Sequence, residues 1–62
     1  MEALIACDIG GTQLRVATFD AVSGEMIQQK RIPTQAPGET AVERLMGLIF
    51  ELWPTEGHVR AI

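Results

Sequence analysis

The chain has 62 residues with a formal net charge of −3, and 47% of its residues are hydrophobic. A chain of this length forms one small domain or part of one, and it buries only about 60% of the surface that its unfolded form exposes. We therefore expect a partner chain, a swapped dimer or further residues of a longer protein to stabilise the fold. The acidic balance and the scattered basic residues argue against nucleic acid as a partner.

The chain holds one cysteine, Cys7, and one histidine, His58, so it can form neither an internal disulfide nor a structural zinc site by itself. No apolar run approaches the roughly 20 residues that span a membrane. The N-terminus lacks the basic region that opens a secretory signal. We expect a cytoplasmic protein without a membrane partner, in which Cys7 is a small buried strand residue and His58 is solvated.

The first third of the chain predicts a β-hairpin. Residues 3–8 form a short apolar run closed by an aspartate, which is typical of a central strand buried on both faces. Gly10-Gly11 follows, a dipeptide that readily takes positive φ in a tight turn. Residues 13–20 alternate in polarity and predict a second strand, antiparallel to the first.

A third strand and a connector are predicted next. Residues 20–24 have turn composition, and Asp20 is interpreted as a turn residue rather than a catalytic base. Residues 25–32 predict a strand whose polar character places it at a sheet edge. Pro33 ends this strand because proline cannot donate to the hydrogen-bond ladder.

The last third of the chain predicts a helix and the start of a fourth strand. Apolar residues at three- and four-residue steps predict a helix over residues 39–53, which Pro54 ends. Residues 59–62 begin a strand that lies parallel to the first after a right-handed helical crossover. Glu43 and Arg44 are expected to be solvated. The predicted apolar face consists of Val42, Leu45, Met46, Ile49, Leu52 and Trp53.

The order strand, strand, strand, helix, strand indicates the α/β class. A three-stranded meander followed by a helical crossover is how a ribonuclease-H-like domain begins. We therefore expect residues 1–62 to be the opening half of a ribonuclease-H-like domain, whose sheet gains its next central strand beyond residue 62.

The hairpin between the first two strands has the residue types that hold a phosphate chain and its metal. Backbone N–H groups converge on phosphate where no side chain intervenes, and Gly10 and Gly11 permit that approach. Thr12 adds an N–H and a hydroxyl, and Gln13 adds an amide. The carboxylate of Asp8 would repel phosphate directly, but it can hold Mg²⁺, usually through water, and the ion bridges phosphate oxygens.

Other interpretations of the hairpin stay open at this point. Gly-Gly between two apolar runs is also an ordinary hairpin signal. The pattern is not a Walker A loop, which needs Gly-Lys-Ser or Gly-Lys-Thr. It is not the dinucleotide fingerprint either, because a strand follows it instead of a helix. Arg15 shares a strand face with Gln13 and reaches a phosphate only if that face turns toward the ligand.

The segment Asp8-Ile9-Gly10-Gly11-Thr12-Gln13-Leu14-Arg15-Val16-Ala17, with Asp20 shortly after it, resembles the first phosphate motif of the ROK family. That family comprises bacterial glucokinases, other sugar and amino-sugar kinases, and related repressors, and it shares its ATPase fold more distantly with hexokinases and actin. The resemblance therefore implies that residues 1–62 are a partial N-terminal ATPase domain of the actin and hexokinase type. The connector Ile32-Pro33-Thr34 and the following helix also fall where ROK proteins have them. The resemblance covers nearly all of the chain, although one motif carries most of it. Gln13 departs from the lysine or asparagine often seen at that position.

The resemblance implies ATP-dependent transfer of the γ-phosphoryl group to a hexose hydroxyl, as in a glucokinase. It implies that Asp8, Gly10, Gly11, Thr12 and Gln13 serve ATP, with Asp8 on the Mg²⁺ side. The family's catalytic base, sugar ligands and zinc motif come later than residue 62, so no catalytic residue is assigned. We expect this chain alone to be inactive.

Two alternatives come from other classes of protein. A ROK-type transcriptional repressor carries a helix-turn-helix before the motif, and only seven residues precede Asp8. A non-catalytic structural or assembly piece agrees with the small core. For the 62-residue chain itself we expect self-association or a homo-oligomer, formed through the unpaired edge of the first strand and the apolar helix face.

Overall fold

A computed structural model describes all 62 residues as a mixed four-stranded sheet with one helix packed on it. The sheet order is β3-β2-β1-β4, with β1 antiparallel to β2 and parallel to β4. The predicted α/β class is confirmed, and the element bounds differ from the expected ones by at most two residues. No helix has the length and apolar character needed to cross a membrane. The elements are β1 (Glu2–Ile9), β2 (Gln13–Asp20), β3 (Met26–Pro33), α1 (Ala41–Glu51) and β4 (His58–Ala61).

Strand β1 lies inside the sheet, but only part of its second edge is paired. It pairs with β2 over seven residue pairs, from Ala3 opposite Asp20 to Ile9 opposite Leu14, and with β4 only through its first three residues. Residues 5–9 therefore keep an unpaired edge, and association of copies through that edge stays a prediction. The other free edges belong to β3, as its polar sequence predicts, and to the short β4.

The core lies between the sheet and α1. It contains Ile5, Val16, Leu48, Ile49 and Leu52, with three partly buried neighbours around them. Ten of the 62 residues are buried. The core therefore has one layer of strand side chains facing one layer of helix side chains, as in the simplest two-layer arrangement.

The sheet face opposite α1, called here the open face, has no cover. The prediction that β1 is buried on both faces is therefore wrong, and Leu4 on the open face is 39% exposed. Cys7 is exposed as well, contrary to the prediction that it is a buried strand residue. Helix α1 packs mainly on β2, so the carboxyl-terminal half of β1, which ends at Ile9, lacks cover on the helix side too.

A capping box fixes the start of α1. The Thr40 hydroxyl accepts a hydrogen bond from the Glu43 N–H at 3.1 Å, and the Glu43 carboxylate accepts one from the Thr40 N–H at 3.0 Å. Arg44 donates to the Pro33 carbonyl and to the Glu39 carboxylate, at 2.8 and 2.7 Å. Glu43 is exposed, as expected, although it also caps the helix. The Arg44 side chain is only 15% exposed, so the expectation that Arg44 is solvated is wrong.

The carboxyl end of α1 is tied to two strands. The Leu52 carbonyl accepts hydrogen bonds from the Thr18 hydroxyl of β2 at 3.0 Å and from the Gln28 amide of β3 at 2.9 Å. Lys30 and Glu51 add an exposed ion pair at 2.7 Å. These bonds satisfy a carbonyl that the end of a helix leaves without an intrahelical partner.

Only part of the predicted apolar helix face is buried. Leu45, Ile49 and Leu52 face the sheet as expected, together with Leu48, which the prediction omitted. The apolar arc of α1 is wider than the sheet can cover, so its other half faces outward. The outward residues Val42, Met46 and Phe50, four residues apart, are called here the exposed stripe, and Trp53 beyond them is also exposed.

The turn between β2 and β3 is organised by Asp20. Its Oδ1 atom accepts hydrogen bonds from the N–H groups of Val22 and Ser23, at 2.8 and 3.0 Å. The bonds from Ser23 and Val22 lower the pKa of the Asp20 carboxyl below its ordinary value. Gly24 closes the turn at φ 78°, in the left-handed region. Asp20 is therefore a turn residue, as the sequence predicts.

The lowered pKa of Asp20 makes the folded state depend on pH. The stabilisation is complete above the carboxyl's unfolded-state pKa and is lost as the pH falls through the lower folded-state value. Asp20→Asn keeps an Oδ1 acceptor that does not titrate. We expect the free energy of unfolding, measured in urea at pH 6 and at pH 3, to fall less in this variant than in the wild type. Glu56→Gln, at an exposed residue without hydrogen bonds, is the matched control, and equal pH dependence in both variants would contradict the prediction.

Candidate functional site

Residues 10–12 form the tip of the β1–β2 hairpin. The Gly10 N–H donates to the Gln13 carbonyl oxygen at 2.8 Å, and a Cβ atom on Gly10 would lie 3.0 Å from that same oxygen. Gly10 therefore permits a close backbone approach. Neither Gly10 nor Gly11 has positive φ, contrary to the prediction. The tip spreads the reversal over three residues, so it needs no left-handed backbone.

Two backbone donors at the tip are free. The N–H groups of Gly11 and Thr12 donate to no acceptor in the protein, and both residues are exposed. No atom lies within 4 Å of the position that a Cβ on Gly11 would take. The tip thus presents two adjacent N–H donors and an open approach, which is the local requirement for holding an oxyanion.

Thr34 clamps the tip from outside the hairpin. Its N–H donates to the Thr12 carbonyl at 2.9 Å, and its hydroxyl donates to the Gly10 carbonyl at 2.8 Å. Thr34 is 7% exposed although it follows the last residue of β3. With their carbonyls engaged, Gly10 and Thr12 are held in place while the N–H groups of Gly11 and Thr12 remain free.

The clamp connects to α1 through the preceding residue. The Arg44 side chain, 15% exposed, donates to the Pro33 carbonyl. Sequence reasoning placed Thr34 in a connector and Arg44 in solvent, so it missed both. A threonine or arginine near a strand end is a candidate for backbone bonding, but the partner of the Thr34 hydroxyl is 24 residues away in the chain.

The remaining predicted site residues are divided between the tip and the open face. Gln13 begins β2, and its carbonyl closes the tip. Asp8 lies opposite Arg15 in the strand register, and Arg15 lies opposite Arg31. Because paired residues share a sheet face, all three lie on the open face. Asp8 is exposed and makes no ion pair.

The surroundings of Asp8 limit the kind of metal site that it can make. No group of three or more metal-ligating side chains lies together in the protein. Mg²⁺ is commonly held by one or two carboxylates together with phosphate oxygens and water. A single exposed carboxylate two residues before Gly10 fits an ion that arrives with a phosphate ligand, and it does not fit an ion held by the protein alone.

Comparisons with family models, curated proteins and solved structures find no match for this chain. The resemblance of the hairpin to the ROK motif therefore stays a prediction.

The clamp is tested by Thr34→Val, which removes the hydroxyl at nearly constant volume and keeps the N–H. We expect the free energy of unfolding to fall by about 1 kcal/mol, since one partly buried hydrogen bond is lost. Amide exchange at the tip should accelerate. Thr55→Val, at an exposed threonine whose hydroxyl makes no hydrogen bond, is the control. If the two variants behave alike, Thr34 does not hold the tip.

Proposed function

We propose that this chain is the ATP-phosphate-binding part of an ATP-dependent sugar kinase of the ROK type, glucokinase-like in transferring a phosphoryl group to a hexose hydroxyl. One observation carries the proposal: the two free N–H groups at Gly11 and Thr12, on a tip that Thr34 holds in place. The proposal includes a cytoplasmic location, because the kinase would use cytoplasmic ATP as its phosphoryl donor. The unpaired thiol of Cys7 agrees with a compartment in which thiols stay reduced.

The proposed domain is the opening part of a ribonuclease-H-like ATPase. The antiparallel meander of β1, β2 and β3, followed by α1 and a parallel β4, supports that assignment. In such a sheet the hairpin tip is a rigid projection from the two inner strands, and a rigid site loses less entropy on binding than a mobile loop.

Each site residue has a distinct chemical role in the proposal. The Gly11 and Thr12 N–H groups would donate to phosphate oxygens, the Thr12 hydroxyl and Gln13 amide would add further contacts, and Asp8 would hold Mg²⁺ through water. Bound ATP with Mg²⁺ supplies the transferable γ-phosphoryl group. These residues would bind and orient it, and the donors cost no reorganisation if they are already in position.

No residue of this chain is proposed as the catalytic base. Asp20 lies at the far end of β2 from the tip, about 23 Å away at the usual rise per strand residue. Its carboxylate is occupied by the turn that it organises. Binding of ATP without phosphoryl transfer is therefore what we expect of these 62 residues.

Phosphate binding is tested by titrating the nitrogen-15-labelled chain with ATP and Mg²⁺. We expect weak binding, in the millimolar range, with the largest shifts at the amides of Gly11 and Thr12. Gly11→Ala puts a methyl group into the ligand's approach while meeting no protein atom, so it should weaken binding about fivefold, roughly 1 kcal/mol, without lowering stability. Asp8→Asn should abolish the dependence on Mg²⁺.

Gly47→Ala is the matched control, because Gly47 also has no atom within 4 Å of an added Cβ but lies in α1. It should leave ATP binding unchanged. Absence of tip shifts at the highest ATP concentration, or equal binding by the Gly11→Ala variant, would overturn the proposal.

We also propose that the protein self-associates through the apolar face of α1, one of the two surfaces that the sequence predicts. The exposed stripe offers Val42 and Phe50, each 68% exposed, with Met46 at 45% between them. A helix face of this kind is suited to antiparallel packing against its own copy, because each apolar side chain then meets another.

Sedimentation velocity over a range of concentrations tests the association. We expect a concentration-dependent dimer that Met46→Glu converts to a monomer, since a charge at the centre of an apolar contact cannot be solvated. Val22→Glu, at a turn residue 83% exposed, should leave the dimer intact. A wild-type chain that stays monomeric at every concentration would contradict the proposal.

A further inference from the structure

The open face combines an apolar end with a positively charged end. Leu4, Phe19 and Met26 are neighbours in the strand register and form the apolar end. Leu4 and Met26 are 39% and 47% exposed. Apolar residues opposite one another on three adjacent strands form one patch rather than scattered exposures, and contiguous apolar patches are frequent at interaction surfaces.

The middle of the open face is concave. Ala6 and Ala17 are opposite each other in the register, and their small side chains leave a cavity of about 210 Å³. Phe19 and Met26 line one end of this cavity, and Arg15 and Asp8 line the other. A partner that fills it must therefore contact apolar groups at one end, and a guanidinium beside a carboxylate at the other.

The charged end holds two arginines without partners. Arg15 and Arg31 lie directly opposite each other on β2 and β3, and both are exposed. Neither makes a side-chain hydrogen bond or an ion pair, although Asp8 lies on the other side of Arg15. Like charges directly opposite on a sheet are unfavourable, so an anionic group placed between the two would be strongly attracted.

The charge of the open face is opposite to that of the whole chain, which is −3. Strand alternation and the ion pair between Glu2 and Arg60 place three of the chain's five basic residues on this face, Arg15, Arg31 and Arg60. The same alternation places only two of its eight acidic residues there, Glu2 and Asp8. Packing against the open face of a second copy would bring two positive surfaces together, so a second copy is disfavoured as the occupant.

Helix α1 covers the other face of the sheet, and nothing in this chain covers the open face.

We propose that the open face docks an amphipathic helix with an acidic end. Its apolar residues pack on Leu4, Phe19 and Met26, and a carboxylate at one end pairs with Arg15 and Arg31, where bidentate bonds are available. Strands of 8 residues extend about 26 Å, which a helix of about 17 residues matches. The proposal does not depend on phosphate binding at the hairpin tip.

The test uses three designed peptides of about 17 residues. The first is amphipathic, with leucine on one face and glutamate in its last turn. The second has lysine in place of glutamate, and the third has serine in place of leucine. Each is titrated into the nitrogen-15-labelled chain. We expect shifts at Leu4, Ala6 and Phe19 with the first peptide, and binding at least tenfold tighter than with either other peptide.

Variants of the chain assign the preference to its arginines. The double variant Arg15→Gln, Arg31→Gln should reduce the preference for the acidic peptide to less than twofold, and Arg15→Glu, Arg31→Glu should reverse it. Lys30→Gln removes a basic residue from the same strand as Arg31, but on the α1 side, and should preserve the preference. Gly11→Ala should not affect peptide binding, which separates this result from any failure of the phosphate site.

Several outcomes would overturn the proposal. Equal binding of the acidic and basic peptides, or no shifts on the open face with any peptide, would do so. Displacement of the acidic peptide from the arginines by inorganic phosphate, together with equally tight binding of the peptide that has serine in place of leucine, would indicate a site for small anions instead of a helix. Open-face shifts that grow with the concentration of the chain alone would indicate a second copy.

Discussion

The antiparallel register of β1 and β2 is the constraint on which the rest of the structure depends. It puts Ile5 opposite Thr18 on the helix side and Asp8 opposite Arg15 on the open side. Because side chains alternate along a strand, a slip of one residue would exchange the two faces. Val16 would then leave the core and a charged residue would enter it. The core, the hairpin tip and the position of Arg15 on the open face therefore all follow from the pairing of β1 with β2.

The tip has its particular chemistry because of bonds made far from it. Thr34 occupies the carbonyls of Gly10 and Thr12, and Arg44 holds the carbonyl of the residue before Thr34. A hairpin with two glycines and no such support would sample many conformations and would have to be ordered when a ligand binds. The packing of α1 on the sheet is thus linked to the hairpin tip through hydrogen bonds that involve only a few residues.

Local sequence patterns are sufficient to predict where the strands and the helix lie, but they do not predict which residues the folded chain buries or brings into contact. The alternation from Leu14 to Thr18 and the spacing of Leu45, Ile49 and Leu52 predicted elements and faces correctly, because both are properties of short segments. Burial of Cys7 was predicted wrongly, since it depends on which strand α1 covers. Positive φ at the two glycines was also predicted wrongly, because the composition of a turn does not fix its length. The Thr34 clamp joins residues that only the completed sheet brings together.

A two-layer domain of this size has an unavoidable geometric consequence. The single helix covers only one face of the sheet, and only half of its own apolar arc faces that sheet. Apolar side chains therefore remain exposed both on the open face and on the outward side of α1. The two surfaces differ in charge. The exposed stripe of α1 is apolar, whereas the open face adds two unpaired arginines to its apolar residues. Our proposals follow this difference: a second copy is the proposed partner of the exposed stripe, and an acidic helix is the proposed partner of the open face, because the unpaired arginines favour an acidic group there.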